Sequence, residues 1–257
     1  MAGTGVAGPS GGQLSDGPAA RLTAELLVRT TFPSPGTAVT CAVSGGADSL
    51  ALLVLAVAAG CRVTAVHVDH CLRPGSEAEA EVVRAAAERF GAGFRAERAP
   101  VEQGPNLEAR ARAARYAVLP PDVLTGHTAD DQAETVLLNL LRGAGLDGLA
   151  GMAPRGHPLL GLRRSETHAL VATHGLAPVE DPSNADSAFR RNRVRSELLP
   201  LLDAIAQRDV SVVIARQALL LGEEARLLDD LAAALDPTDA RALAAAPTPL
   251  ARRAVRR

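Results

Sequence analysis

The chain contains no lysine; all 27 of its basic residues are arginine. That absence excludes the Walker phosphate loop, which needs Gly-Lys-Ser/Thr. Every cationic contact to a phosphate or carboxylate must therefore be an arginine fork, not a lysine point charge. Cysteine is scarce. Cys41, Cys61 and Cys71 form no CxxC pair and no even disulfide framework, so reduced thiols are expected and no metal site can be argued from them. No uninterrupted apolar run reaches membrane-spanning length, and the first residues lack the cationic start and apolar core of a signal peptide. A cytoplasmic protein that binds no membrane is the expectation. The formal net charge is only -2, so nothing global advertises nucleic acid, and any such contact must come from a local patch. A length of 257 residues suits one large domain with a small appendage.

The stretch Ala38–Gly60 organises what is there. A short apolar run, Ala38–Val43, stops at Ser44-Gly45-Gly46-Ala47-Asp48-Ser49, and an apolar helical run, Leu50–Ala59, follows at once. This reads as strand, glycine-rich turn, helix. Adjacent glycines let backbone approach a ligand closely, and the helix N-terminus suits a phosphate. Ser44 and Ser49 add hydroxyl donors, and Asp48 can hold a magnesium ion bridging phosphates. The three spaced glycines of the dinucleotide fingerprint are absent from this turn.

Residues 1–18 are rich in Gly, Pro and Ser and are expected to be disordered. The pattern then predicts a helix over 19–30, strands near 38–43, 61–68, 91–100 and 122–125, and helices over 77–90, from Asn106 to about 119, and over 129–142. Strands alternating with helices predict an α/β fold, a parallel sheet with helices on both faces. Three polar clusters, Ser44–Ser49, His67–Arg73 and Gly126–Glu134, fall at strand carboxyl ends, where such sheets bind ligands. From Gly143 the pattern changes. A helix is expected over 163–174, an Arg-rich helix over 188–202 broken by Pro200, and a long amphipathic helix over 209–235. The apolar stripe of that last helix could pair two copies into a homodimer or pack within one chain. The predicted organisation is a disordered segment 1–18, a nucleotide-binding domain 19–205 and a short helical region 206–257.

Three further groups of residues could carry chemistry. Asp130 and Glu134 lie four apart on one helix face and could hold magnesium, bind an amine or accept its proton. The same pattern also suits a solvated helix start capped by Thr128 and Asp131. Arg112 and Arg115, three apart, could grip a phosphate or carboxylate, or simply form an exposed charged face. Arg190, Arg191, Arg193 and Arg195 make a basic patch able to meet RNA phosphates, or a solvated helix paired with Glu197 and Asp186. His157, His168 and His174 are scattered and read as surface or packing residues.

Together these motifs resemble the tRNA(Ile)-lysidine synthetase family of the N-type ATP pyrophosphatase (PP-loop) superfamily. The resemblance is carried by SGGADS at Ser44–Ser49, HVDHCLR at His67–Arg73, NLEARARAARY at Asn106–Tyr116 and GHTADDQAETVLLNLLRG at Gly126–Gly143. Pro158–Leu160, EDPSNAD at Glu180–Asp186 and RRNRVRSELLP at Arg190–Pro200 complete it. Three departures stand out: Cys71 where glycine is usual, His157 where arginine is usual, and a short region after Asp209.

The resemblance implies a Rossmann-like ATP domain and an ATP-dependent ligase. The wobble cytidine of a CAU-anticodon isoleucine tRNA would be adenylated, and free lysine would then displace AMP to give lysidine. Ser44, Gly45, Gly46, Ala47 and Ser49 would hold ATP phosphates, and Asp48 would bind Mg2+. Asp130 and Glu134 would position the lysine amine, and Arg112 and Arg115 the lysine carboxylate or the α-phosphate. Arg190, Arg193 and Arg195 would meet ATP or tRNA phosphates. A tRNA thiolase of the same superfamily is disfavoured by the absent CxxC, and an amidotransferase by the lack of room for a glutaminase domain. A non-catalytic nucleotide binder would explain residues 44–49 but not the EDPSN and RNRVR segments.

Overall fold

Four short strands form the centre of the molecule: β1 (Ala38–Ala42), β2 (Arg62–Asp69), β3 (Gly93–Arg98) and β4 (Leu124–Thr125). All pair in parallel, in the order β3-β2-β1-β4. The computed structural model describes residues 17–71, 77–102, 104, 107–179 and 189–256. Helices α1 (Pro18–Leu27), α2 (Ala47–Ala58), α3 (Glu77–Arg89), α4 (Leu107–Val118) and α5 (Ala129–Leu141) alternate with the strands, as the sequence pattern predicts. β1 aligns Ala38 with Arg62 and Ala42 with Val66 of β2, so the loops leaving both strands emerge at one sheet edge.

Alternate strand residues feed two separate cores, as the period-2 geometry of a strand requires. Cys41, Val63 and Ala65 join the main core with α1, α2 and α3, while Ala42, Val66 and Val68 pack with Leu119 and Val123 on the other face. Helix α2 is apolar all round, from Leu50 to Ala56, and none of these residues is more than 2% exposed. A helix of that kind must be covered on every side. The sheet covers one side; α1 and α7 (Arg164–Thr173) cover the other. Thr23 of α1 and His174 at the end of α7 share a buried hydrogen bond of 2.9 Å.

After α5 come a one-turn helix α6 (Leu146–Leu149), α7, and then α8 (Arg190–Arg193). α8 runs without a gap into a π turn (Val194–Leu198) and α9 (Leu199–Ala206). α10 (Val210–Ala233) lies along α5, and α11 (Ala240–Ala245) and α12 (Thr248–Arg256) follow it. Among the described residues, no helix is long and apolar enough to cross a membrane.

Two expectations are corrected. Pro200 does not break the Arg-rich helix: the π turn immediately before it widens the backbone where the proline ring would crowd the preceding turn, and the helix continues. β4 is two residues long, shorter than 122–125, because Pro120 and Pro121 precede it and Val123 N is drawn into a turn with Pro120 O at 3.1 Å. Cys71, just beyond β2, has φ +53°, a left-handed conformation in which glycine is at ease and a side chain is strained. The conformation accounts for the glycine usual at that position. The expected disorder of 1–18 lies outside the described residues up to residue 16, whereas Pro18 opens α1.

Leu53 is fully buried in the main core, so Leu53→Ala leaves a cavity there. It should cost about 2–5 kcal/mol in urea unfolding with an unchanged denaturant slope.

Candidate active site

The strand order reverses between β1 and β4, since β2 and β3 lie on one side of β1 and β4 on the other. In open parallel sheets the crevice at such a switch point is where ligands bind. The loop from β1 into α2 and the turn from β4 into α5 form its two walls. Gly45 has φ +93°, which lets the first loop fold tightly, and its carbonyl accepts from Val179 N at 3.0 Å. Ser49 Oγ donates to Gly46 O at 2.8 Å and accepts from Ser44 N at 3.1 Å, closing the loop on itself. Gly46 caps α2 without a side-chain hydrogen bond, so the first amides of the helix are not satisfied by a capping side chain. A loop of this shape can receive phosphate oxygens. On the opposite wall, a Cβ at Gly126 would meet Asp48 O at 2.5 Å, so only glycine lets the two walls touch.

Asp48 is half-buried. Its carboxylate accepts from Thr167 Oγ1 of α7, and Arg164 Nε lies 3.5 Å away. Burial raises its pKa, and the Thr167 hydrogen bond offsets part of that rise. The donor set fits magnesium, which is commonly held by one or two carboxylates together with substrate phosphates. No group of three or more His, Cys, Asp or Glu side chains able to hold a metal exists among the described residues.

Beyond the loop lies a chamber in which carboxylates of α5 meet arginines of α7, α8 and the π turn. Glu134 is fully buried and receives three guanidinium groups: Arg195 Nε at 2.6 Å, Arg191 Nε at 2.7 Å and Arg164 Nη1 at 3.3 Å. Asp131 accepts from Arg164 Nη2 at 2.9 Å and Arg191 Nη2 at 3.2 Å, while its other oxygen accepts from Thr128 N at 2.9 Å. Burial would push the Asp131 carboxyl up, but Arg164, His127 and Arg191 outweigh it and hold it down to about 2. Asp130 accepts from Arg163 Nη2 at 2.7 Å and Nε at 3.0 Å, and from Arg164 N at 2.8 Å. Those contacts overcome its burial and keep its pKa below the ordinary value. Arg163 also pairs with Asp209, just before α10.

A second feature borders the crevice. The rings of His127 and His157 pack edge to face, 5.1 Å between centroids, and His157 Nδ1 shares a hydrogen bond of 2.5 Å with Thr125 Oγ1. Burial pushes His127 down to about 4 and lowers His157 as well, so both rings are neutral near pH 7.

The structure therefore brings Asp48, Asp130 and Glu134 together around the loop, joined by Arg195. It does not bring Arg190 and Arg193 there. Both are exposed on the outer side of α8, and Arg193 is paired with Glu197 at 2.9 Å. Arg112 is exposed and stacks on Tyr116, 5.0 Å from the ring centroid, and its charge reaches His127 and His157. Arg115 is half-buried, with its charge acting on His70. The EDPSNAD motif, Leu72 and Arg73 of the second motif, and Asn106 lie outside the described residues.

Sequence reasoning missed Arg163, Arg164, Thr167 and His127, read Asp131 only as a cap, and left Arg191 out of the site. It also read His157 as a surface or packing residue. A signal for three of them existed. Arg163 and Arg164 stand at the start of α7, where cations oppose the helix dipole, and residues in that place need carboxylates from elsewhere. Arg191 and Arg195 are four apart and share a face; Arg190 and Arg193 share the other.

The lowered pKa of His127 makes a pH prediction. An unfolded His127 takes a proton near its ordinary value of 6.5, and the folded one only near 4. The unfolded chain thus binds more protons in that window, and stability falls as pH drops through it, by up to about 3 kcal/mol from this residue. Urea unfolding from pH 7 to 4.5 should show the decline, and His127→Gln should flatten it.

The comparisons with known proteins bear on the family. A family model described as a PP-loop domain matches residues 20–202. A tRNA(Ile)-lysidine synthase of Nocardia farcinica is 47% identical over 242 residues, a match taking in 88% of this chain and 76% of that protein. A tRNA(Ile)-lysidine synthase of Rhodococcus erythropolis is 46% identical, over 86% of this chain and 74% of that protein. Among solved structures, a U34-tRNA thiolase from Methanococcus maripaludis with its [4Fe-4S] cluster superposes with a TM-score of 0.61, covering 79% of this chain and 78% of that one. At 16% identity that likeness bears on the fold alone. With the loop, the switch-point crevice and these relatives in agreement, the chain belongs to the tRNA(Ile)-lysidine synthase family and carries that family's PP-loop domain.

Proposed function

We propose that this chain joins free lysine to carbon 2 of the wobble cytidine in a CAU-anticodon isoleucine tRNA, using ATP, in the cytoplasm. In the first step the ring carbonyl oxygen of the cytidine attacks the α-phosphorus of ATP, and pyrophosphate leaves. In the second the ε-amine of lysine attacks carbon 2 and gives up its proton, and AMP departs with the former carbonyl oxygen. The observation that carries the reading is the phosphate-shaped loop 44–49 at the switch point, facing a chamber of carboxylates and arginines, in a chain 47% identical to a lysidine synthase.

The chain's own residues fit these demands. The amides and hydroxyls of Ser44, Gly45, Gly46, Ala47 and Ser49 hold the phosphates. Asp48 is the carboxylate for Mg2+, whose contribution when bound is to neutralise phosphate charge. Asp130 and Glu134 already bind guanidinium groups, and a substrate ammonium seeks the same oxygens once the arginines turn to phosphate, so they are the residues for the lysine amine. Arg164, Arg191 and Arg195 stand where a polyphosphate could take over their bonds from the carboxylates. Arg112 and Arg115 remain the candidates for the lysine carboxylate, and Arg190 and Arg193, facing outward, for tRNA. The helical region 206–257 packs through α10 on α5, which leaves its exposed leucines open to a homodimer.

Incorporation of labelled lysine into a CAU-anticodon isoleucine tRNA, with ATP and magnesium, tests the reading. A methionine tRNA with the same anticodon should take up none. Asp48→Ala should lower the rate at least about a hundredfold without unfolding the protein. Equal labelling of both tRNAs, or undiminished turnover in Asp48→Ala, would contradict it.

A further inference from the structure

Helix α5 and the α8–π–α9 helix each serve two places. Asp131 and Glu134 of α5, with Arg191 and Arg195, form the chamber; further along the same face of α5, Leu138, Leu141 and Arg142 meet the α8–π–α9 helix in a groove of about 490 Å³. That volume is within the range of roughly 300–1,000 Å³ usual for small-ligand sites. The floor is aliphatic, formed by Leu138, Leu141, Leu198 and Leu201. Leu141 is 70% exposed and Leu201 56%, so the floor is open to solvent. Arg142, at the end of α5, and Arg190, at the start of α8, rim it from the two helices. Neither has an ion-pair partner among the described residues. Arg193 stands on the same rim, bonded to Glu197.

We infer that this groove seats the unpaired nucleotides flanking the base that enters the active site. The inference rests on the tRNA reading above. Charge complementarity supports it: two guanidinium groups with no ion-pair partner among the described residues stand beside an apolar floor, in a protein whose net charge is -2, and form a local patch for phosphates. The floor selects the strand type. A duplex offers it only phosphate ridges, whereas an unpaired strand offers base faces that lie against leucine and guanidinium planes. Position supports it too. Leu138 follows Glu134 by one turn on the same face of α5, about 6 Å along the axis, so the groove begins next to the chamber.

The test uses the full chain with Arg142→Ala/Arg190→Ala and, separately, Leu141→Asp. All three side chains are exposed, so the variants should unfold at the wild-type urea midpoint. The affinity for the isoleucine tRNA is measured from 50 to 300 mM salt. The double arginine variant should bind about tenfold more weakly and lose about 0.7 from the salt slope for each single-strand phosphate contact removed. Leu141→Asp should weaken binding about tenfold. Wild-type affinity and slope in both variants would overturn the inference. If the wild type fails to incorporate lysine yet its tRNA binding depends on the groove, the functional reading falls and the groove assignment stands. If Leu141→Asp leaves tRNA binding intact and turns a dimer into a monomer in sedimentation, the groove is a self-association face and the inference is wrong.

Discussion

A carboxylate with no access to water holds this architecture in place. Glu134 is fully buried, and its two oxygens carry three guanidinium groups from α7, α8 and the π turn. A buried charge is costly unless paired and hydrogen-bonded, and in a low-dielectric setting its attraction for its partners is strong. The ion network fixes where α7 and α8 sit relative to α5. Asp131 repeats the arrangement one turn earlier with Arg164 and Arg191, and Asp130 extends it through Arg163 to Asp209 at the start of α10. Three segments far apart in the chain, around Arg163, Arg191 and Asp209, are thus bound to the N-terminal turns of α5.

That arrangement has a chemical consequence. The N-terminus of α5 sits against the phosphate loop because Gly126 has no side chain, and Arg164 reaches Asp48 as well as Glu134 and Asp131. In the proposed reaction these carboxylates hold the arginines beside the ATP phosphates, and a substrate amine would take their oxygens as the arginines turn to phosphate. On that proposal, anionic and cationic parts of the substrates would each meet an oppositely charged group already oriented, which is the preorganisation that electrostatic catalysis requires. The neutral pair His127 and His157 lines the same crevice without adding charge.

Much of this was legible in the sequence. The apolar run ending in SGGADS placed β1, the loop and α2; the alternation of strands and helices placed the parallel sheet; and the spacing of Asp130 and Glu134 placed both on one helix face. What was not legible depends on three-dimensional pairing. Periodicity shows that Arg191 and Arg195 share a face but not that a buried glutamate awaits them. The capping pattern at Thr128 explains Asp131 locally and hides its partners on α7. His157 looked isolated because Thr125 and His127 are thirty residues or so away in the chain and adjacent only in the fold. Pro200 looked like a helix breaker because a π turn has no local pattern that announces it.

Urea unfolding of Glu134→Gln tests the central claim most directly. The substitution keeps the size of the side chain and removes its charge, leaving guanidinium groups without their shared partner. The account predicts a loss of about 3–5 kcal/mol, as for other broken buried ion pairs. A loss below about 1 kcal/mol would mean that the arginines do not depend on Glu134, and that the network is not what holds α7 and α8 at the phosphate loop.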